Sequence, residues 1–168
     1  MGTAYSDTGH IRAKIFVSGR EAAIMWRELL SAWSSDCSFT APATPSALLR
    51  AEEMVGIALP RDLTSLLLES DGVNDKYGMP MVLAAADIAR TNNDFRANED
   101  FAELYMPFDP LLLFGSYANS DYFAYRILKG GFQGNDIYRW EHETDSRTWV
   151  APSLERYLEW VLSGRIAG

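Results

Sequence analysis

Along the chain, apolar side chains first alternate, then fall into helical stripes, then form short strand-like runs before a last helical stripe. Ile11, Ala13, Ile15 and Val17 are spaced by two, which predicts a short strand. Ala22, Met25, Trp26, Leu29, Leu30 and Trp33 lie on one 3.6-residue stripe, and Ser18 precedes Glu21 at capping-box spacing, so a helix with a buried face is predicted there. Residues 34–44 are rich in Ser, Thr, Ala and Pro and read as a loop. Thr44-Pro45 then offers an N-cap with proline at the first helical position, and Gly56 is placed to end that helix. Leu59-Pro60 starts a further short helix with Leu63, Leu66 and Leu67 facing inward and Gly72 at its far end. After the turn-rich stretch 71–80, residues 84–105 predict one or two helices, interrupted by Asn92, Asn93 and Asn98.

From Leu111 the period changes. Runs at 111–114, 122–127, 137–140 and 148–150 are β-branched or aromatic, and the segments between them are rich in Gly, Asn, Asp or Ser. These predict an antiparallel meander. Pro152 and Ser153 open a last helix with Leu154, Tyr157, Leu158, Val161 and Leu162 on one stripe and Gly164 as its stop. Helices, then strands, then a helix imply an α+β fold. No repeat or linker divides the chain, so residues 1–168 read as one domain with a flexible tail at 1–10.

Composition supports a packed core and narrows the chemistry. Of 168 residues, 48% are hydrophobic and 23% charged, which excludes disordered and collagen-like chains. The single cysteine, Cys37, forms no intramolecular disulfide, which favours a cytoplasmic setting. No window approaches the apolar length of a membrane span, and the first 20 residues lack a secretory leader pattern. The net charge of −8 is concentrated: residues 51–110 carry twelve acidic against four basic side chains. Such a field repels nucleic acid and anionic lipid and steers a basic partner inward, although solvated helix faces are often acidic too.

Catalytic constellations are missing. His10 lies in the tail, and His142, beside Glu141, Glu143 and Asp145, offers one imidazole in a single hairpin, which is a poor metal set. Cys37 has no basic neighbour to activate it. The Gly-rich stretch 129–136 lacks the Lys-Ser or Lys-Thr and the following helix of a phosphate-binding loop, so it reads as a hairpin loop. No Gly-x-Ser-x-Gly elbow occurs. Trp140 and Trp149 flank a turn and are placed to face each other across a hairpin, as packing or as an exposed anchor.

Glu52, Val55, Gly56, Leu59, Pro60, Asp62, Leu63, Leu66, Leu67, Asp71 and Gly72 together resemble the motif of the SUKH superfamily, Smi/Knr type. Leu113-Phe114, the strand from Tyr122 and the helix after Ser153 extend the resemblance over about 45–163. The motif residues are structural: helix stops, a proline corner and core leucines. The resemblance implies helices packed on a mostly antiparallel sheet in a protein-binding module. Bacterial members are often immunity proteins that neutralise a cognate toxin, and fungal relatives regulate cell-wall synthesis through protein contacts.

The resulting expectation is a non-enzymatic, cytoplasmic binding domain, without metal or cofactor, whose acidic middle third covers a basic protein such as a toxin. Its candidate contacts are Asp71, Asp75, Tyr77, Asp94, Glu99, Asp100 and Glu103, with Trp140 as anchor. The alternatives are a regulatory adaptor of the same fold without a toxin partner, and a small-molecule binder or enzyme using a groove between helices and sheet. The sequence leaves the oligomeric state open.

Overall fold

Thr44, Pro45 and Gly56 punctuate a helix where the pattern places it, and the rest of the architecture grows around that segment. The computed structural model describes residues 25–117, 119–129 and 131–166. Its elements run α1 (Trp26–Trp33), β1 (Ser38–Phe39), α2 (Pro45–Val55), α3 (Arg61–Leu67), β2 (Val73–Asn74), β3 (Pro80–Val82), α4 (Ala85–Ala97) and α5 (Glu99–Leu104). There follow β4 (Leu111–Ser116), β5 (Tyr122–Leu128), β6 (Gly131–Glu141), β7 (Ser146–Ala151) and α6 (Leu154–Leu162). The order is α+β, with a C-terminal helix.

β4, β5, β6 and β7 form an antiparallel meander in chain order. Its two faces separate as a period of two requires. Leu112, Phe114, Phe123, Tyr125 and Ile137 join the main core with Leu63, Leu66 and Leu67 of α3 and Leu154, Tyr157 and Leu158 of α6. Leu111, Leu113, Ala124 and Trp140 form a second, smaller core with Phe108, against which Phe95 and Phe101 pack.

The motif residues build the corner between α2 and α3. Gly56 takes the left-handed conformation at φ 82° that ends α2. Glu52 reaches past it to accept the Leu59 N–H at 2.8 Å, folding the chain back before Pro60 starts α3. Asp71 accepts the Ala85 N–H at 2.7 Å and so caps α4, whose own N-cap residue, Ala84, has no oxygen side chain.

Other features depart from the pattern. The strand at 11–17, the tail at 1–10 and the Ser18/Glu21 capping box lie outside the described residues. α1 starts only at Trp26, with Met25 extended and exposed, so Met25 leaves the buried stripe. The cap comes from afar: Glu69 accepts the Trp26 and Arg27 N–H groups at 2.9 and 3.0 Å. The stretches read as loop at 34–44 and as turn at 71–80 contribute β1, β2 and the first residue of β3 to a small antiparallel sheet. The Gly-rich stretch 129–136 is not one loop, because β6 begins at Gly131 and carries an irregularity opposite β5.

Asn92 does not interrupt α4. It is buried within the helix, donates to the Ile88 and Leu113 carbonyls at 2.8 Å each, and accepts the Leu113 N–H at 2.9 Å. Arg96, one turn on, donates to the Leu111 carbonyl at 2.9 Å. Two α4 side chains thus satisfy Leu111 and Leu113 on the outer edge of β4, while the Leu83 N–H donates to the Phe114 carbonyl at 2.7 Å.

Candidate functional site

Four of the acidic candidates, Asp94, Glu99, Asp100 and Glu103, gather where α4 meets α5. Asn98 breaks the helix with an extended backbone and accepts the Phe101 N–H at 3.1 Å, restarting it as α5. This bend turns Phe95 and Phe101 inward, edge to face at 5.0 Å, and leaves Asp94, Glu99, Asp100 and Glu103 exposed. None of the four makes an ion pair among the described residues. Leu104, 71% exposed, and Met106, 53% exposed, follow directly. The elbow therefore presents four exposed carboxylates beside apolar side chains. Asn98→Ala should cost about 1 kcal/mol through loss of the cap, with α5 amides losing hydrogen-exchange protection before those of α4; unchanged protection would refute the cap's role.

The elbow is held by the hairpin between β6 and β7, a support the sequence reading missed. Asp145, in the left-handed region at φ 54°, accepts the Trp140 indole N–H and the Met106 N–H, both at 2.7 Å. Arg147 lies 3.6 Å from Asp145, donates to the Met106 and Pro107 carbonyls at 2.7 and 2.9 Å, and stacks its guanidinium 5.3 Å over Phe108. An aspartate tolerates the left-handed turn position, which is the local signal; Trp140 is five residues back, but Met106 lies 39 residues away in the chain and leaves none.

Trp140 is corrected. It is 2% exposed, packed edge to face on Phe95, Tyr105 and Phe108, and is the floor under the elbow rather than an exposed anchor. Nor does it face Trp149: the register pairs Trp140 with Arg147 and Trp149 with Tyr138. Trp149, 48% exposed, donates to Asp136 at 2.9 Å and contacts Trp160.

Asp71, Asp75 and Tyr77 lie elsewhere. Asp71 is committed to capping α4. Asp75 Oδ1 accepts the Tyr77 and Met79 N–H groups at 2.8 and 2.9 Å, shaping the turn between β2 and β3. That turn borders a cleft of about 530 Å³ between β3, the end of β4 and the C-terminal half of α6, and Tyr77, 78% exposed, stands at its rim.

The reactive side chains are differently engaged. Burial pushes the Cys37 thiol up, and the charges of Asp36 and Asp75 add to that push, so it stays protonated. His142 Nδ1 lies 2.9 Å from Asp121 Oδ1. Glu141 accepts from Thr144 and Ser146, and Asp145 serves the clamp, so the acids around His142 diverge. Among the described residues no three of His, Cys, Asp and Glu converge as a metal set. No described helix is long and apolar enough to cross a membrane.

A family model described as SMI1 / KNR4 family (SUKH-1) matches residues 42–160, more than two thirds of the chain. The match spans the α2–α3 corner, the elbow and its hairpin clamp. No curated protein matches the chain.

Proposed function

The chain belongs to the SMI1 / KNR4 family (SUKH-1), and from that membership we propose a non-enzymatic protein-binding domain that acts in the cytoplasm as the immunity protein of a cognate toxin. The observation that carries this reading is the elbow of α4 and α5. Four carboxylates without ion pairs among the described residues stand beside exposed Leu104 and Met106 on a frame fixed by Asp145 and Arg147. Charge of one sign around an apolar patch suits a basic protein surface: the field speeds encounter, and the apolar side chains supply burial.

The test is whether co-expression rescues growth from the product of the neighbouring gene, with binding measured on the purified pair. Reversing Asp94, Glu99, Asp100 and Glu103 to lysine should leave the circular dichroism spectrum unchanged and weaken binding by at least about 100-fold. It should also flatten the salt dependence. Unchanged affinity and salt dependence would reject the acidic surface. Rescue by neither form, with capture of endogenous regulatory proteins alone, would make the protein an adaptor of the same fold.

A further inference from the structure

We propose that the cleft between β3, the end of β4 and α6 receives a basic side chain of the protein partner, an alkyl chain ending in a guanidinium or ammonium group. The proposal rests on the protein-binding reading and adds a second contact, separate from the elbow. At about 530 Å³ the cleft is in the size range of sites that enclose a ligand group. Its walls are suited to methylenes: Met79 and Met81 on one side, Val161 and Leu162 of α6 on the other. Methionine adapts to an entering chain more readily than branched residues do.

Its polar lining selects a cation. Asp36 and Asp75 both line the cleft and give it two carboxylates. Asp75 spends Oδ1 on the turn, leaving Oδ2 to accept, and neither carboxylate makes an ion pair among the described residues. Tyr77 at the rim already holds the ammonium of Lys76 4.9 Å from its ring centre, which shows the ring placed to receive positive charge. Lys76 is also the one Lys or Arg among the described residues that line the cleft, and it competes with any cation that enters.

The probe is Nα-acetyl-arginine N-methylamide, titrated into the labelled full chain and followed by amide shifts, with the norleucine analogue as neutral control. Expected are saturable shifts at Tyr77, Met81 and Ser116 with the arginine compound and none with norleucine. Asp36→Asn with Asp75→Asn, which keeps the acceptor oxygen of the turn, should weaken binding by about 5-fold or more, and Lys76→Ala should tighten it about 2-fold. The tightening is a result that damage to the fold does not produce. Absence of cleft shifts at about 50 mM probe, a concentration that detects even affinities weaker than 1 mM, would overturn the proposal, as would equal shifts with norleucine. Saturation by spermidine at about 100-fold lower concentration would also overturn it, assigning the cleft to a free polyamine. The titration needs no partner, so its failure leaves the elbow standing, whereas failure of the elbow reversal leaves the titration unchanged.

Discussion

Replacing Asp121 with alanine is expected to lower the unfolding free energy at neutral pH by about 4 kcal/mol, the range for removing one partner of a buried ion pair. Asp121 is 1% exposed, yet every donor it needs is present. Oδ2 accepts Arg139 Nε and Nη2 at 2.8 and 2.6 Å and Asn119 Nδ2 at 3.0 Å, while Oδ1 accepts the His142 backbone N–H at 3.1 Å and faces its ring at 2.9 Å. The carboxylate thereby ties the turn before β5 to β6 and to the start of the last hairpin. Burial alone pushes its pKa up; the hydrogen bonds from His142, Arg139 and Asn119 outweigh burial and bring it down to about 2 from the ordinary 3.8.

That direction sets the pH dependence. Because the folded state binds the proton less readily than the unfolded chain, the stabilisation is full above the ordinary carboxylate pKa and is lost as pH falls through about 2. A shift of this size corresponds to roughly 2 kcal/mol. Urea unfolding of both proteins should therefore show the gap between wild type and Asp121→Ala narrowing by about 2 kcal/mol between about pH 5 and pH 2. A constant gap would mean that the ion pair contributes nothing specific to the ionised form.

How much of this was legible beforehand depended on the range of the interactions involved. Thr44, Pro45 and Gly56 act on backbone within a few residues, so their pattern located α2; Ser153 and Gly164 did the same for α6. The meander was legible because four strands keep one alternating pattern and are joined in chain order. β1 and β2 have two residues each, too few to show a period, and exist only because residues some 35 positions apart pair. Asn92 looked like a helix breaker because its partner, Leu113, lies 21 residues on.

The candidate site divides in the same way. The acids of the elbow were visible as local charge excess, whereas their frame was not. Trp140 carried the chemistry of an interface anchor, but the same chemistry suits a floor once Phe95, Tyr105 and Phe108 surround it. Asp75 and Tyr77 were picked out with the elbow acids, yet they border a different cleft, made with α6 from the far end of the chain.

Gly115 is where that cleft and the main core meet, and Gly115→Ala is expected to destabilise the protein by about 3 kcal/mol, the upper part of the range for an overpacked core. The pattern placed Gly115 at the start of a turn; in the structure it is inside β4, where β3 passes close by. A β-carbon there would sit 2.2 Å from the Met81 carbonyl oxygen and 3.2 Å from the Tyr157 hydroxyl. The same carbonyl accepts the buried Tyr157 hydroxyl at 3.0 Å, so relieving the contact must move β3 and disturb that bond together. Thermal unfolding should fall by about 9 °C. The double variant with Tyr157→Phe should not recover, because the shorter of the two contacts is with backbone and no side-chain truncation removes it. Recovery would place the strain in the tyrosine instead. With Met81 displaced, the arginine probe should lose its cleft shifts and partner binding should lose the cleft's share, while the salt-dependent share from the elbow, carried by the opposite face of the sheet, remains.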